Sequence, residues 1–497
     1  MALGSQMNQE ETLALWKQGK EAWNAWAEKM LAERKALENK GEWDVIVEPW
    51  GEEKPQDETT EKWFKDARAV FSSTETPHVF LEATSFEGWL FPSISEWNAA
   101  TFKGGARFIS ATFKGIAQFG SATFKRDALF RDTIFEGDAW FRDATFEGDA
   151  WFRDATFEGT AWFRDATFER IANFSSSTFE GVARFHSATF EGGAQFTRVT
   201  FERDTWFISA TFKGISQFSR ATFKRDALLS SATFEDATWF HRATFEGDAG
   251  FSNVCFEKPT QFSDARFNTD ASFNAAQIKQ AFDLSGARFK EVPDFRQTHC
   301  EEAPLLDDVH IDSTIVKQRK PSDKTNFAVT AKYRALKRLA IQGHDHKHEV
   351  EFFAEELKSR RLMVYTQRDP SWWLSFIFDE LSDYGRSIAR PLMYWLGVIM
   401  LSAVHYIAMA TPLDPYRATE CLAGAGSQVN TAYQLAFAKG LLVPGLADRT
   451  IVTQAYDCLF GDIIPGSAAV VAGIQTLLSA ILLFLLLLGI RNRFKLK

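Results

Sequence analysis

Carboxylates are the most regularly spaced reactive side chains in this chain of 497 residues. Glutamate recurs at every eleventh position from residue 136 to residue 202, and lysine takes the same place in the pattern before and after, for example at Lys103 and Lys213. Arginines such as Arg142 lie close by in sequence. Such a row could dock a partner, but a solvated face of mixed charge is the favoured interpretation. The glutamates are Glu136, Glu147, Glu158, Glu169, Glu180, Glu191 and Glu202.

Histidines offer the best-spaced candidate for a metal site. His344 and His348 are four residues apart, which would place both imidazoles on one face of a helix. In the zinc-protease pattern a glutamate directly follows the first histidine, and this chain lacks that order. We therefore predict a solvated helix start and no metal site. Because the charged residues recur as repeats, and because no phosphate-binding glycine loop or triad spacing is present, we expect no catalytic residue, no cofactor and no enzymatic activity.

Four polar residues lie inside two long segments that carry no charge. These segments, residues 391–410 and 467–490, are each long enough as a helix to cross a hydrocarbon layer of about 30 Å. Polar residues inside such segments are candidates for function. Helix packing uses the same residue types, however, and packing alone is the favoured interpretation. The four residues are Ser402, His405, Gln475 and Ser479.

A semi-apolar stretch, residues 431–446, lies between the two predicted spans and resembles the re-entrant segment of small ion channels. Its glycines and proline are Gly440, Pro444 and Gly445. The selectivity sequence of potassium channels is absent, so no potassium selectivity follows. Two spans are too few to enclose an aqueous path, so a pore would require a homo-oligomer. The competing hypothesis is a tether, in which the spans only hold the rest of the chain at a membrane.

Basic residues flank the two predicted spans and set their orientation. Arg386 and Arg390 precede the first span, and Arg491 follows the second. The positive-inside rule therefore predicts that both termini lie in the cytoplasm. The expected location is a bacterial inner membrane. The loop between the spans would then lie outside, where an oxidising compartment permits a disulfide. The candidate pair is Cys421 and Cys458.

The charged pattern rests on a hydrophobic one. From Phe135 to Phe168 the phenylalanines are separated alternately by six and five residues, and the pattern extends outward from Phe80 to Cys300. A small residue two positions before most of the large ones is typical of a very short strand that faces a core. Many short strands at fixed spacing predict a solenoid, in which each coil buries its face against the next.

The size of one coil follows from this spacing. Eleven residues are too few to enclose phenylalanine side chains, and a coil with three sides would stack six-residue sides on five-residue ones. A coil of 22 residues with four sides is the smallest solution, so the window from 80 to 300 would hold about ten coils. Eleven residues are then half a coil, which would place the seven glutamates in two acidic ribbons on opposite faces.

The run ATFEGDAWFRD, residues 144–154, resembles the pentapeptide-repeat proteins in its small residue and its large apolar centre. The resemblance implies a right-handed, four-sided β-helix. Phenylalanine in place of the commoner leucine, and one extra residue in every second repeat, suggest a wider coil. Some family members imitate DNA and bind topoisomerases, a role that acidic ribbons would suit and that is the less favoured one here. The net charge of −9 disfavours direct nucleic-acid binding.

The sequence thus predicts an all-β solenoid with an N-terminal helix and a C-terminal helical region that contains two transmembrane spans. Residues 10–39 are expected to form one amphipathic helix that caps the first coil, with partner binding as the alternative. The predicted segments are 7–62 for this helix and an acidic linker, 63–300 for the solenoid, 301–326 for a linker, 327–366 for a helical hairpin and 367–497 for a membrane domain. The last comprises an interfacial helix at 370–388, spans at 391–410 and 467–490, and an outer loop at 411–466.

The expected function is that of a non-enzymatic membrane protein whose cytoplasmic solenoid serves as an assembly or binding module. The expected partners are the membrane, further copies of the chain and a cytoplasmic protein. A homo-oligomeric ion-conducting pore is the alternative.

Overall fold

The chain folds into two compact units. The computed structural model describes residues 7–47, 53–312, 326–363, 369–412, 427–441 and 449–494. The first unit comprises Met1–Gln318 and Arg338–Gly343, and the second comprises Arg319–Lys337 and His344–Lys497.

The first unit contains a β-solenoid with four faces, numbered here in the order in which the chain meets them. Each face is a parallel sheet of ten or eleven short strands, and paired strands are 22 residues apart, except that Ala69–Ser72 pairs with Ser95–Trp97 through a register shift. The predicted four-sided coil of 22 residues is therefore confirmed. The strands extend beyond the predicted window at both ends, from Ala69 to Ile311.

The strands of the four faces alternate along the chain. Face 1 contains Ala69–Ser72, Ser95–Trp97, Ala117–Gln118, Ala139–Trp140, Ala161–Trp162, Ala183–Arg184, Thr205–Trp206, Ala227–Leu228, Ala249–Gly250 and Ala271–Ser272. Face 2 contains Val79–Phe80, Thr101–Phe102, Thr123–Phe124, Thr145–Phe146, Thr167–Phe168, Thr189–Phe190, Thr211–Phe212, Thr233–Phe234, Cys255–Phe256, Gln277–Ile278 and His299–Cys300. Face 3 contains Thr84–Ser85, Ala106–Arg107, Ala128–Leu129, Ala150–Trp151, Ala172–Asn173, Ala194–Gln195, Ser216–Gln217, Thr238–Trp239, Thr260–Gln261 and Phe282–Asp283. Face 4 contains Leu90–Phe91, Thr112–Phe113, Ile134–Phe135, Thr156–Phe157, Thr178–Phe179, Thr200–Phe201, Thr222–Phe223, Thr244–Phe245, Arg266–Phe267, Arg288–Phe289 and His310–Ile311.

Phenylalanine fills the inside of each coil. The ring of Phe141 is fully buried and stacks on that of Phe163 in the next coil, with centroids 4.9 Å apart and planes within 1°. It also meets Phe130 of its own coil edge to face, at 5.4 Å and 86°. Both arrangements are favourable for aromatic rings. The repeat therefore buries one continuous aromatic core.

Two kinds of turn join the strands. After the strands of faces 1 and 3, one residue adopts a left-handed conformation, as at Asp143 with φ +56° and Asp154 with φ +57°. Asp tolerates this region better than most residues. After the strands of face 4, successive coils instead lie very close together. A Cβ on Gly137 would lie 2.5 Å from the carbonyl carbon of Gly115. Glycine is needed there for space.

Helices cover the first coil. The N-terminal segment forms α1 (Gln9–Trp16) and α2 (Lys20–Lys40), whereas the sequence predicted one helix. Gly19 separates them because its φ of +93° lies outside the helical region. Trp23 of α2 is fully buried, and its Nε1 donates to the carbonyl oxygen of Leu90 at 2.8 Å. The predicted acidic linker, residues 48–62, contains the strand Glu53–Pro55 and most of helix α3 (Glu58–Asp66). This strand pairs antiparallel with Val45–Val47, which precedes the linker.

The remaining elements are helices. They are α4 (Asn326–Gln342), α5 (His346–Met363), α6 (Pro370–Ser382), α7 (Ala389–Ala408), α8 (Gln428–Gly440), α9 (Arg449–Phe460) and α10 (Gly466–Phe494). Helices α7 and α10 are long and apolar enough to cross a membrane. The loop predicted between the two spans contains α8 and α9. Residues from α7, α8, α9 and α10 share one hydrophobic core, which includes Ala403, Leu435, Leu459 and Ala472.

Candidate functional site

The outer surface of face 1 carries large side chains in four successive coils. These residues, Trp140, Trp162, Arg184 and Trp206, are paired in register by the parallel strands and are half-buried. We call them the tryptophan ladder. The Arg184 guanidinium carbon lies 4.0 Å from the ring centroid of Trp162 and 4.6 Å from that of Trp206. The ladder therefore holds a cation between two indole rings.

A buried carboxylate lies beside the ladder. Asp138 is 4% exposed, and its Oδ1 accepts a hydrogen bond from the backbone N–H of Thr160 at 2.8 Å. Its Oδ2 lies 3.4 Å from the Nε1 atoms of both Trp140 and Trp162. Burial lowers the pKa of Arg184, and the negative charge of Asp138 acts in the opposite direction. Asp138 thus orients two indoles and adds negative potential near the rings.

Further carboxylates line the corner between faces 4 and 1. We call Glu136, Asp138, Glu158 and Glu180 the acidic edge; they line one cavity of about 700 Å³. Glu136 pairs with Lys114 at 2.5 Å, whereas Glu158 and Glu180 have no ion-pair partner within the described residues. Partial burial, together with the negative charges of Glu136 and Glu180, raises the pKa of the Glu158 carboxyl. Arg203 and Arg225 line the same cavity, but neither forms an ion pair with Glu158 or Glu180 among the described residues.

Lysines neutralise most of the predicted ribbon on face 2. Glu147 pairs with Lys125, and Glu191 pairs with Lys213 at 2.8 Å. Only Glu169 of this ribbon has no ion pair in the described part of the chain. On face 4, Glu202 pairs with Lys224 at 2.8 Å. The seven glutamates thus lie in two rows on opposite faces. Among the described residues, two consecutive glutamates without an ion pair, Glu158 and Glu180, occur only in the row on face 4.

The opposite side of the ladder carries self-neutralised charges. Arg142 pairs with Asp143 at 3.2 Å, and Arg164 pairs with Asp165 at 3.0 Å. A second cavity, of about 430 Å³, lies on this side. It is lined by Trp140, Trp162, Arg142, Asp143, Thr74, Asn98, Gly120 and Ser121. Face 1 is therefore an aromatic strip between an acidic side and a neutral one.

The polar residues of the predicted spans meet in the helical core. Gln475 is 1% exposed; its Oε1 accepts from the Tyr406 hydroxyl at 2.9 Å, and its Nε2 donates to the carbonyl oxygen of Ala436 at 2.5 Å. These bonds connect α7, α8 and α10. Ser402 and Ser479 are buried, and neither Ser479 Oγ nor His405 Nε2 has a hydrogen-bond partner in the part of the chain described.

Only some of the other candidates lie within the described residues. The carbonyl oxygen of Gly440 accepts from Trp395 Nε1 at 3.2 Å. Cys458 is disulfide-bonded, but Cys421, like Pro444 and Gly445, lies outside the described residues, so the pairing stays a prediction. His348 Nδ1 lies 2.5 Å from Asp345 Oδ2, and no group of three or more potential metal ligands occurs among the described residues.

Sequence reasoning missed the tryptophan ladder and Tyr406. A signal for the ladder was present, because Trp140, Trp162, Arg184 and Trp206 are each 22 residues apart. Reading the outward residues at the period of a whole coil would have found it. For Tyr406, the spacing of four residues from Ser402 on a helix places both on one face.

Comparison with known proteins identifies the solenoid. A family model described as pentapeptide repeats matches in nine copies, among them residues 98–145, 119–167, 130–178, 163–211 and 207–254. No curated protein and no solved structure matches the chain. All the matched segments lie within the four-sided coil described above. The matched part of this solenoid is therefore built from pentapeptide repeats.

Proposed function

We propose that this chain is a non-enzymatic membrane tether that presents a pentapeptide-repeat solenoid as a binding module. In this proposal α7 and α10 span the bacterial inner membrane, and both termini and the solenoid are cytoplasmic. The excess of basic residues before α7 and at the end of α10 supports this orientation.

The exposure of α7 and α10 is the observation that carries the proposal. Only 33% of the apolar window of α7 and 28% of that of α10 are buried, whereas the core helix of a soluble protein is mostly buried. Leu401 and Leu477 are 74% and 64% exposed. Apolar side chains left uncovered along helices of this length are expected to face lipid.

Helix α6 supports the same conclusion. Its apolar side chains Trp373, Leu374 and Ile377 are 54%, 70% and 48% exposed. Tryptophans and leucines on one short helix next to a span are typical of a segment that lies in the membrane interface.

Membrane extraction tests the tether. The full chain should stay with membranes washed at alkaline pH, and protease added to intact spheroplasts should spare the solenoid. A charge at the centre of a span opposes insertion by about 2.5–3.5 kcal/mol. The double variant Leu401→Asp/Leu477→Asp should therefore leave the washed membranes, whereas Ile463→Asp, which alters an 81% exposed residue outside both helices, should be retained. Recovery of the wild-type chain in the soluble fraction would refute the proposal.

A homo-oligomeric pore is the second candidate, and the packing of α8 favours it. Thr431, Ala432, Leu435 and Ala436 of this short helix are buried, and α8 packs against both α7 and α10. This gives the span, short helix, span order of a re-entrant pore. Against it, both polar ends of the Gln475 side chain are hydrogen-bonded to neighbouring helices, as is typical of span packing.

Two measurements separate the pore from the tether. Native mass spectrometry in detergent should return oligomers if a pore exists, because two spans enclose no aqueous path. Planar bilayers that contain the purified full chain should then show current. If only monomers are found, or if oligomers give no current, the pore is refuted and the tether is retained.

A further inference from the structure

We propose that face 1 of the solenoid binds an extended protein segment rich in arginine and lysine, which lies along the tryptophan ladder with its charges toward the acidic edge. This proposal rests on the proposed role of the solenoid as a binding module and names the chemistry of the partner.

The chain already shows one instance of this recognition. The Arg184 guanidinium lies between Trp162 and Trp206, and its Nε has no hydrogen-bond partner within the described residues. The two indole faces and the nearby charge of Asp138 both attract the guanidinium. The strand register places Arg184 one coil from each of the two tryptophans, so its guanidinium contacts an indole on both sides.

The ring of Trp140 has no cationic side chain beside it in the preceding coil. Its partner in the preceding coil is Gln118, and no Lys or Arg of the described residues lies over its ring. The cavity of about 430 Å³ lies against this tryptophan, with Asn98, Gly120 and Ser121 of earlier coils in its lining. An arginine from a partner that enters this cavity can therefore contact the ring of Trp140, as Arg184 contacts that of Trp162.

The acidic edge supplies charge complementarity along the ladder. The turns that contain Glu136, Glu158 and Glu180 lead directly into the ladder strands that end at Trp140, Trp162 and Arg184. Glu158 and Glu180 lack ion-pair partners in the described chain, and a cation placed between them would relieve their mutual repulsion.

An independent observation points to a missing partner at the same corner. Ser93 is 2% exposed, and its Oγ has no hydrogen-bond partner among the described residues. It lines a cavity of about 550 Å³ that α2 and α3 form with this corner, and Glu136, Asp138 and Glu158 line that cavity too. A buried hydroxyl without a partner, on a residue that lines a cavity, can form a hydrogen bond with a ligand there.

The dimensions fit a peptide. The ladder from Trp140 to Trp206 covers three coil intervals, which is about 14 Å at roughly 4.8 Å per strand and equals four or five residues of an extended chain. A nucleic acid would bring its phosphates against the acidic edge, where they would be repelled. A single small cation would leave the indole row unused.

Binding of a defined peptide to the full chain in detergent tests the proposal. The probe is a fluorescent octapeptide of alternating arginine and serine, and its counterpart of alternating glutamate and serine is the negative control. We expect Trp140→Val to weaken binding of the arginine peptide about twofold to fivefold. Glu158→Gln/Glu180→Gln should weaken binding of the arginine peptide about threefold to tenfold. Added salt should reduce the effect of this double variant more than it reduces the effect of Trp140→Val.

Matched variants on other faces control for general attraction to an acidic protein. Trp151 occupies on face 3 the position that Trp140 occupies on face 1, and Glu169 on face 2 is also without an ion pair in the described residues. Trp151→Val and Glu169→Gln should leave the affinity within about twofold of wild type. Equal losses on all faces, or no binding of the arginine peptide, would overturn the proposal.

The outcome is separable from that of the proposed function. A chain that resists alkaline extraction but ignores the arginine peptide remains a tether and refutes only the basic partner. A chain that binds the peptide through Trp140 but washes off the membrane keeps the binding surface and refutes the tether.

Discussion

The solenoid and the helical second unit bury their side chains in opposite ways. In the solenoid every coil repeats the contacts of the last, as in the stacks of Phe141 on Phe163 and Phe163 on Phe185, at 4.9 and 4.8 Å. In the second unit, the side-chain amide of Gln475 connects three helices through hydrogen bonds that, unlike the ring stacks, are not repeated along the chain. The solenoid therefore distributes its stability over equivalent neighbours, whereas the helices depend on a few specific contacts.

Removal of one ring from the aromatic core should produce the largest effect. Phe152 is fully buried, with the rings of Phe130 and Phe174 each at 4.8 Å. Phe152→Ala leaves a cavity and should lower the free energy of unfolding by about 3–5 kcal/mol, measured by urea unfolding of the full chain in detergent with the β-sheet circular dichroism signal. Because the coils are equivalent, Phe174→Ala should lose the same amount. Clearly unequal losses would break the comparison.

Gln475→Leu should weaken the helical unit by about 1–2 kcal/mol, because it leaves the buried Tyr406 hydroxyl without its partner. Thermal unfolding followed by the helical circular dichroism signal would measure it. Thr476→Ala is the control, since the Thr476 hydroxyl donates to the Ala472 carbonyl of its own helix at 2.8 Å. The double variant Gln475→Leu/Tyr406→Phe removes both polar partners and should recover part of the loss. Additive losses would show that the hydrogen bond contributes nothing specific.

The same contrast explains what the sequence could predict. The alternation of five and six residues between phenylalanines determined the four-sided coil, because inside and outside follow directly from strand periodicity. That Arg184 would enter between Trp162 and Trp206 was not predicted, because side-chain conformation on an outer face depends on neighbours in other coils. Gln475 was predicted as a candidate, but its partner was not, because helix pairing depends on tertiary packing rather than on periodicity.

The stability contributed by one carboxylate in each region should change in opposite directions as the pH falls. In the second unit, Asp383 is partly buried, but hydrogen bonds from Arg386 at 2.8 Å and an ion pair with Lys358 at 2.9 Å outweigh this burial and lower the pKa of its carboxyl. A lowered pKa in the folded state contributes stability above the pKa of the unfolded chain, and this stability is lost as the pH falls.

We therefore expect Asp383→Asn to be less stable than wild type at pH 7 by about 0.5–1 kcal/mol, after allowance for solvent screening. The difference should close as the pH falls below about 4. Asparagine keeps the left-handed backbone of this position, φ +49°, without strain, so the loss reports the charge. Thermal unfolding at a series of pH values measures it. A difference that persists unchanged at pH 3 would assign the effect to packing.

Glu158 of the solenoid should behave in the opposite way and by a smaller amount. Burial and the charges of Glu136 and Glu180 raise its pKa, so its ionised form opposes folding, and wild-type stability falls as the pH rises through the carboxyl range. Glu158→Gln should then be more stable than wild type at pH 7, by at most about 0.5 kcal/mol because the side chain is exposed to solvent. This gain should vanish below about pH 4, where the carboxyl is protonated in both states. Glu136→Gln, which removes the partner of Lys114, should bring no such gain. If the two variants behave alike, the acidic edge holds no uncompensated charge, and the reason for a basic partner to prefer this edge disappears.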